Sequence, residues 1–418
     1  MFGKKKPEVL IVGAGPVGLM TALELTKNGV VVQVIDKEWQ RAGHSYALAL
    51  HPQSLRMFKK LGLLDKILQH CYKVNTIDIC DEKECKATIN LAELKHEYAY
   101  ITAIQQNVLE KILEDALLEN GVKVLWHHRL AHLTHSIDHA NVIIDKLETD
   151  TLGYIISRTE QVVTKSIRGE IPYVIGADGH YSFVRRSLDI NFDPVGDTLN
   201  CAVFEFKTDI DLQNKMALSF TEGAANVMWP LPNGYCRWSF QLLDREASQE
   251  SRIKERYEVQ IGTGPYAELT ENYLKEILSK RAPWFKGKVE DIRWRHIVRF
   301  ERRLSDALGK NKCWLAGDAT HMTNPVGIQG MNGGFLEAQD LTAAVIKSLK
   351  EKESPELFAE YNEKWLNQWR FLLGLDGRVE TTAKTDPWIA QHKGALLSSI
   401  PALSEDLKGL LGQIELSI

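Results

Sequence analysis

Hydrophobic residues follow two different patterns along this chain. The first pattern is a set of short, continuous apolar runs, which predict strands buried on both faces of a sheet. These runs lie at 9–12, 30–35, 173–175 and 313–316. Stretches with helical periodicity separate them, most clearly at 105–120, where Gly121 ends the helix. Strands that alternate with helices predict an α/β domain built on a doubly wound parallel sheet.

The second pattern is strict alternation of apolar and polar positions. Residues 201–206 and 235–242 alternate in this way, which predicts an antiparallel sheet with one open face. The pattern of residues 130–170 predicts a three-stranded meander. Two amphipathic stretches, 355–375 and 388–416, predict helices whose apolar faces cap the body of the protein.

These patterns divide the chain into three units. The first is a discontinuous Rossmann-like domain made of 1–71, 98–185 and 296–350, and the second is an inserted antiparallel-sheet domain made of 72–97 and 186–295. The third is a C-terminal helical segment, 351–418. A chain of 418 residues is long enough for each unit to have its own core.

The composition of the chain indicates which kinds of partner and which cellular environment are to be expected. With 44% hydrophobic and 25% charged residues and a net charge of −4, the chain has no basic field for nucleic acid. The apolar run after Lys4–Lys6 is broken by glycine and proline and is too short for a bilayer span, so we expect no integral membrane segment. The six cysteines lack framework spacing, which favours free thiols, Cys80 and Cys85 included, in a cytoplasmic protein.

Five histidines lie between residues 127 and 139. Some of them are four residues apart, but the local pattern predicts strand and turn, where this spacing does not bring ligands together around a metal ion. A solvated hairpin rich in histidine is therefore expected, and we assign no metal site.

The chemistry of the chain starts at the first buried run, which leads into Gly13-x-Gly15-x-x-Gly18 and then a helix. In such a unit the first glycine allows the tight turn, the second lets the backbone approach a pyrophosphate, and the third lets helix and strand pack closely. Pro16 and Val17 start the helix, whose N-terminus favours phosphate. Asp36 ends the second strand, where a carboxylate accepts hydrogen bonds from a ribose 2′-hydroxyl and disfavours a 2′-phosphate.

Two further motifs follow buried strands directly. Gly176-Ala177-Asp178-Gly179 follows the third run, and Gly317-Asp318 follows the fourth. Both place an aspartate at the carboxyl end of a strand, where open α/β sheets bind ligands. The segment 325–334 comes next, and its glycine-rich entry into a helix would point backbone N–H groups outward.

With these three motifs in this order, residues 8 to about 345 resemble the class A flavoprotein monooxygenases, the para-hydroxybenzoate hydroxylase-like family. The resemblance implies a GR2-type FAD-binding domain in which Asp318 binds the ribityl hydroxyls and Asp178 takes part in the NAD(P)H encounter. Tyr46-Ala47 stands where many relatives carry Arg-Ala, so the phosphate contact falls to Arg41 or is lost. The other FAD-binding residues that the resemblance implies are Lys37, Gln106, Pro325, Gly327, Gly330, Met331 and Asn332.

The resemblance also implies a reaction. NADH or NADPH would reduce FAD, O2 would form a flavin C4a-hydroperoxide, and an aromatic or polycyclic substrate would be hydroxylated. Two alternatives stay open: a flavin-dependent halogenase, although no Trp-x-Trp-x-Ile motif is present, and a non-catalytic FAD-binding sensor or accessory protein. No catalytic base is assigned, and the chain is expected to be a monomer or homodimer. Candidate walls of the substrate site are Met228, Trp229, Trp238 and Phe240.

Overall fold

The structure is a computed structural model that describes residues 6–40, 49–152, 158–243, 268–351 and 356–418, without the side chains of 149–152 and 158–160. Helices in these ranges are α1 Pro16–Lys27, α2 Pro52–Lys60, α3 Leu64–Leu68, α4 Gln106–Glu119, α5 Phe183–Ser187, α6 Glu271–Arg281, α7 Gln329–Glu351, α8 Glu356–Leu372, α9 Pro387–Ser399 and α10 Ser404–Gly412. The strands are β1 Val9–Val12, β2 Val32–Ile35, β3 Ala49–Leu50, β4 Tyr72–Val74, β5 Thr76–Cys80, β6 Cys85–Asn90, β7 Ile101–Ala103, β8 Val124–Leu125, β9 His128–His135, β10 Ala140–Leu152, β11 Arg158–Ile171, β12 Tyr173–Gly176, β13 Phe192–Pro194, β14 Leu199–Lys207, β15 Lys215–Thr221, β16 Ala224–Pro230, β17 Tyr235–Leu242, β18 Glu290–Phe300, β19 Arg303–Ser305, β20 Gly309–Lys310, β21 Cys313–Leu315, β22 His321–Met322, β23 Glu380–Thr381 and β24 Leu416–Ser417.

The continuous apolar runs form the central parallel sheet, as predicted. Its order is β20-β21-β12-β1-β2-β8, and β20 is the antiparallel edge strand. Both faces of this sheet are covered, so all four residues of β1 and all four of β12 are buried. Helix α1 packs against α4 and α7, which gives the layered α/β architecture.

The alternating segments form a second sheet of seven strands in the order β18-β14-β17-β16-β15-β5-β6. It joins strands from 76–90 to strands from 199–300, two of the regions assigned to the inserted domain. Strand β18 continues to Phe300, past the predicted domain limit at residue 295. Strand β4, which belongs to the predicted segment 72–97, pairs with β7 outside that segment, in a separate small sheet. The division into domains stays a prediction. Helix α6 packs on one face of the large sheet and closes an apolar core there.

The meander predicted at 130–170 is the three-stranded sheet β9-β10-β11. Within the described ranges, no group of three His, Cys, Asp or Glu side chains is arranged to hold a metal ion. Likewise, no helix described here has the length and apolar content that a membrane crossing requires.

The C-terminal segment contains α8, α9 and α10, together with the short β23–β24 pair that was not predicted. Trp365 and Trp369 of α8 are buried in the main apolar core, where α8 packs against α7.

The prediction of free thiols at Cys80 and Cys85 is wrong, because these residues form a disulfide. They end β5 and begin β6 and lie opposite each other in the register of that hairpin. The remaining cysteines are free.

Candidate functional site

Three turns predicted from separate motifs meet at one edge of the parallel sheet. They follow β1, β12 and β21, which are neighbours, and parallel strands place their carboxyl ends at the same edge. Gly13 has φ +108°, and a Cβ built on it would come within 3.0 Å of the Ala177 backbone. A Cβ on Gly317 would lie 3.1 Å from Val17 Cγ2. The turns are thus in direct contact, and the two close glycines leave no room for side chains.

The start of α1 is open on one side. Gly15 is the N-cap residue and has φ −71°, and a Cβ added there would meet nothing within 4 Å. Gly18 is different, since a Cβ on it would overlap the carbonyl oxygen of Gly13. Unfilled space therefore lies beside Gly15, at the positive end of the α1 helix dipole. This is the arrangement that binds a phosphate or pyrophosphate.

Asp36 lies at the rim of the same turn. Its Oδ2 accepts a hydrogen bond of 2.7 Å from the N–H of Ala14, and its Oδ1 accepts one of 2.9 Å from the N–H of Glu38. The carboxylate is therefore held next to the open helix start, where a ribose would follow the pyrophosphate. Lys37 is exposed at this rim, and Arg41 lies outside the described residues.

The two other motif aspartates have different surroundings. Asp178 accepts hydrogen bonds from Ser182 Oγ at 2.5 Å and from the Phe183 N–H at 2.7 Å, so it caps α5. Burial raises the pKa of Asp178 above its ordinary value, although these bonds partly oppose the shift. Asp318 is half-buried in a short 3-10 turn between Gly317 and Ala319. Because Gly317 contacts Val17, Asp318 lies next to the start of α1. The carboxylate of Asp178, in contrast, accepts hydrogen bonds from residues of its own turn.

Gln106 is the first residue of α4, directly after the Gln105 N-cap. Its side-chain amide donates a hydrogen bond of 2.8 Å to Glu110 Oε1, one helical turn further along. This bond keeps the Gln106 side chain along the α4 surface.

The glycine-rich segment 325–334 leads into α7, as predicted, and the helix already begins at Gln329 within that segment. A Cβ on Gly334 would lie 2.9 Å from Val17 Cγ2, and one on Gly333 would overlap the ring of Trp369. Helices α1 and α8 thus pack closely against the first turns of α7, and this close packing requires glycine at both positions. The two glycines lie inside the helix and do not mark its start. Pro325, Gly330 and Met331 are partly exposed on this segment.

Three buried side chains fix the segment in place, and of these the motifs indicated Asn332 but not His51 or Gln329. His51 Nε2 donates to the Gly327 carbonyl at 3.0 Å, and burial lowers the pKa of His51 to about 3, so the ring is neutral. Asn332 Oδ1 accepts from the His51 N–H at 2.8 Å. Gln329 Nε2 donates to the carbonyls of Leu397 and Ile400 at 2.9 and 3.2 Å. No short sequence pattern marks His51 or Gln329, because the partners of these two side chains are 68–276 positions away.

His321 follows the Gly317-Asp318 turn closely, and its contacts are those of a structural residue. Its Nε2 lies 2.8 Å from Glu337 Oε2, both side chains are fully buried, and its ring stacks on Trp369. Thr320 and Tyr361 also donate to Glu337. This network joins the Asp318 turn to α7 and α8.

A cleft lies between the glycine-rich segment and the large antiparallel sheet. It is partly open to solvent, and its cavity volume is about 30 Å³. That is room for roughly two waters, so an aromatic ring can enter only if the walls part. The lining residues are Val203, Val227, Trp229, Arg237, Ser239, Trp294, Val298, Phe300, Pro325, Val326 and Ile328.

Of the four candidate substrate walls, the structure places Trp229 at this cleft and the other three away from it. Met228, Trp238 and Phe240 pack with α6 in the core on the opposite face of the sheet. Side chains along a strand alternate between the two faces of a sheet. Because Val227, Trp229, Arg237 and Ser239 point toward the cleft, the residues next to them in sequence, Met228, Trp238 and Phe240, point away from it.

Together, the three converging turns and the adjoining cleft define a Rossmann-like dinucleotide-binding protein with a second β-sheet layer. A profile of the family described as "FAD binding domain" matches residues 6–369, and the chain belongs to this family. FAD is thus the cofactor, and the open α1 start, the rim carboxylate of Asp36 and the neighbouring Asp318 form a site that fits it.

Similarity to individual proteins extends over most of the chain. The chain is 29% identical over 362 residues to a 6-methylpretetramide 4-monooxygenase of Streptomyces rimosus, covering 85% of this chain and 58% of that protein. It is 28% identical over 335 residues to a 3-(3-hydroxy-phenyl)propionate/3-hydroxycinnamic acid hydroxylase of Burkholderia vietnamiensis, covering 80% and 49%. The chain thus spans about half the length of these curated relatives.

Among solved structures, a p-nitrophenol 4-monooxygenase of Pseudomonas putida superposes with a TM-score of 0.69. The match covers 98% of this chain and 96% of that one at 20% sequence identity. At this identity the likeness establishes the fold alone, and it agrees with the predicted α/β architecture with an inserted antiparallel sheet.

Proposed function

We propose that the protein is an FAD-dependent monooxygenase that hydroxylates an aromatic substrate with NAD(P)H and O2. The observation that supports this most is the position of the cleft. It lies directly between the glycine-rich segment, where the flavin ring is expected, and the face of the sheet that carries Trp229. Once its walls part, such a cleft would hold a flat apolar substrate beside the ring.

Residues at the sheet edge would hold the cofactor. The N-terminus of α1 at Gly15–Val17 would bind the pyrophosphate, Asp36 the adenosine ribose and Asp318 the ribityl chain. The segment Pro325–Asn332, including Gly327, Gly330 and Met331, would contact the ring. The chemistry that FAD supplies when bound is acceptance of a hydride from NAD(P)H and transfer of one oxygen atom of O2.

The protein's own contribution is positioning and exclusion of water. His51, Gln329 and Asn332 keep the Gly327 segment in one conformation through buried hydrogen bonds. Backbone N–H groups at the start of α7 carry partial positive charge, which would stabilise negative charge on a reduced ring. The narrow, apolar cleft would keep bulk water from the reacting atoms.

The names of the relatives support hydroxylation more than the two alternatives. They are described as a monooxygenase and a hydroxylase, which gives no support to halogenation or to a non-catalytic sensor. The choice of NADH or NADPH, a cytoplasmic location and a monomeric or homodimeric state stay predictions.

The test is turnover by the FAD-loaded protein. We expect NADH or NADPH oxidation to rise when a phenol or polycyclic phenol from a panel is added, with one hydroxylated product formed for each coupled turnover. Omitting halide should not change the rate, whereas a halogenase would require it. Failure of every panel compound to raise NAD(P)H consumption in a protein that retains FAD would favour the non-catalytic alternative.

A further inference from the structure

Ile328 has a backbone conformation that β-branched residues rarely adopt. Its φ is +49°, in the left-handed region, where the Cβ of an L-residue is crowded by the backbone. Among the non-glycine residues with positive φ in the described part of the chain, Ile328 alone is β-branched. Such a conformation costs free energy and persists only where the surrounding structure imposes it. Because Ile328 also lines the cleft, a strained residue stands at the proposed substrate site.

The two neighbours of Ile328 are fixed on the side away from the sheet. A Cβ added to Gly327 would lie 2.7 Å from the Ser398 carbonyl oxygen, so the segment packs directly against the end of α9. Gln329 Nε2 donates to the Leu397 carbonyl of the same helix end at 2.9 Å. Moving the segment away from the sheet to relieve the strain would therefore disrupt the contacts on both sides of Ile328.

Hydrogen bonds also hold the backbone of Ile328 itself. Its carbonyl oxygen accepts a bond of 2.9 Å from Asn332 Nδ2, and its N–H donates to the Pro325 carbonyl at 3.3 Å. Asn332 is fully buried, and its Oδ1 accepts from the His51 N–H at 2.8 Å. The peptide groups on both sides of Ile328 are thus set by the surroundings, which fixes the direction of its Cα–Cβ bond.

The Ile328 side chain occupies space between the two walls of the cleft. Ile328 is 8% exposed and belongs to the same apolar cluster as Val227 and Trp229, which line the sheet wall. The cavity that remains is about 30 Å³, whereas an apolar cavity of about 150 Å³ holds one benzene ring. The sec-butyl group of Ile328 therefore fills room that a ligand would need, and a larger ligand needs more of it.

We infer that Ile328 is a specificity-determining residue whose side chain narrows the cleft and favours a single aromatic ring over fused rings. A relaxed φ would turn the side chain in another direction, so the strained conformation is what places it in the cleft. Asn332 and Gln329 act as positioning residues, since they hold the strained segment. The inference rests on the proposed function for the location of the substrate, and it names the class of substrate.

The experiment compares phenol with 2-naphthol, which carries the same hydroxyl group on two fused rings. Binding of each to the FAD-loaded protein is measured by calorimetry without NAD(P)H, so the result does not depend on turnover. We expect the wild-type protein to bind 2-naphthol no more tightly than phenol, although 2-naphthol has more apolar surface. In Ile328→Ala and Ile328→Gly the affinity for 2-naphthol relative to phenol should rise about 10- to 100-fold, because deleting the side chain enlarges the cleft.

Ile297→Ala is the matched control for Ile328→Ala. Ile297 is next to the cleft residue Val298 in β18, but its side chain packs in the α6 core on the opposite face of the sheet. The control loses the same atoms from a buried site and should leave the ratio of affinities unchanged. An equal rise in Ile297→Ala, or no rise in either Ile328 variant, would overturn the inference. Failure of the wild-type protein to retain FAD would refute the proposed function instead.

The two Ile328 variants also test the strain. Glycine adopts a positive φ freely, so Ile328→Gly should unfold at a higher urea concentration than Ile328→Ala. The reverse order would show that the backbone at this position is not strained and would overturn the inference. If Ile328→Ala does not fold, Ile328→Val, which removes a single methyl group, should raise the ratio of affinities in the same direction to a smaller extent.

Discussion

Alanine substitutions at two glycines of the first turn should have different effects: one should lower the stability of the fold, and the other should weaken FAD binding. Gly13 is held at φ +108° against the Ala177 backbone, so alanine there adds both backbone strain and a steric overlap. Strain of about 1–2 kcal/mol and overpacking of about 1–3 kcal/mol together predict a loss of roughly 2–5 kcal/mol in unfolding free energy. That is a large part of the stability of a typical domain.

Gly15→Ala should behave in the opposite way. Its φ of −71° suits alanine, and nothing lies within 4 Å of the new Cβ, so the apoprotein gains little strain. Alanine is a poorer N-cap than glycine, but it also reduces the entropy of the unfolded chain, and these effects of up to about 1 kcal/mol oppose each other. The new methyl group would, however, enter the space through which a pyrophosphate approaches the backbone, and we expect FAD affinity to fall about 10- to 100-fold.

The assay is urea unfolding of both apoproteins together with an FAD titration followed by flavin fluorescence. Gly13→Ala should unfold at lower urea with or without FAD, while Gly15→Ala should match the wild-type apoprotein and differ in FAD affinity. Unchanged FAD affinity in Gly15→Ala would refute the pyrophosphate site. A loss of apoprotein stability in Gly15→Ala as large as that in Gly13→Ala would refute the open space at the α1 start.

Three further predictions follow from buried groups. The pKa of His51 is lowered from 6.5 to about 3, so below pH 6.5 the unfolded chain takes up a proton that the native state does not. This should cost about 2 kcal/mol of stability between pH 7 and pH 5, and His51→Asn should flatten that pH dependence in urea unfolding. Gln329→Leu removes the side-chain donor from the Leu397 carbonyl, while the Ile400 carbonyl still accepts from the Ala402 N–H, so we expect a loss of roughly 1–3 kcal/mol and faster hydrogen exchange around 396–402; unchanged exchange would contradict the contact. Trp229→Phe should change the KM for an aromatic substrate, because Trp229 lines the cleft, whereas Trp238→Phe should lower the stability and leave the KM unchanged. If both variants changed the KM, the assignment of Trp229 to the cleft face and Trp238 to the α6 face would be contradicted.

The parts of the site that could be predicted from sequence are those specified by local physics. Continuous apolar runs identify β1, β12 and β21, and Gly13, Gly176 and Gly317 stand at or directly after their ends, where a Cβ would be crowded. Because parallel strands end at a common edge, the convergence of Gly13, Ala177 and Gly317 follows from topology.

Other parts depend on contacts that no local pattern contains. Alternation along β17 separates Arg237 from Trp238, but it does not say which face α6 covers, so it could not show that Trp238 packs under α6 while Trp229 lines the cleft. The glycine-rich segment also does not show where α7 begins: Gly333 lies inside the helix, and its place there reflects close packing against Trp369, a contact that only the fold reveals. His51 and Gln329 have partners that are distant in sequence, so their roles become visible only in the fold.

The most direct test of the central claim is an experimental structure of the purified protein with FAD bound. We predict that the pyrophosphate lies at the α1 N-terminus beside Gly15, the ribityl chain passes Asp318, and the ring lies between the Pro325–Ile328 segment and the cleft that Trp229 lines. FAD bound elsewhere, or a purified chain that does not take up FAD at all, would contradict the account.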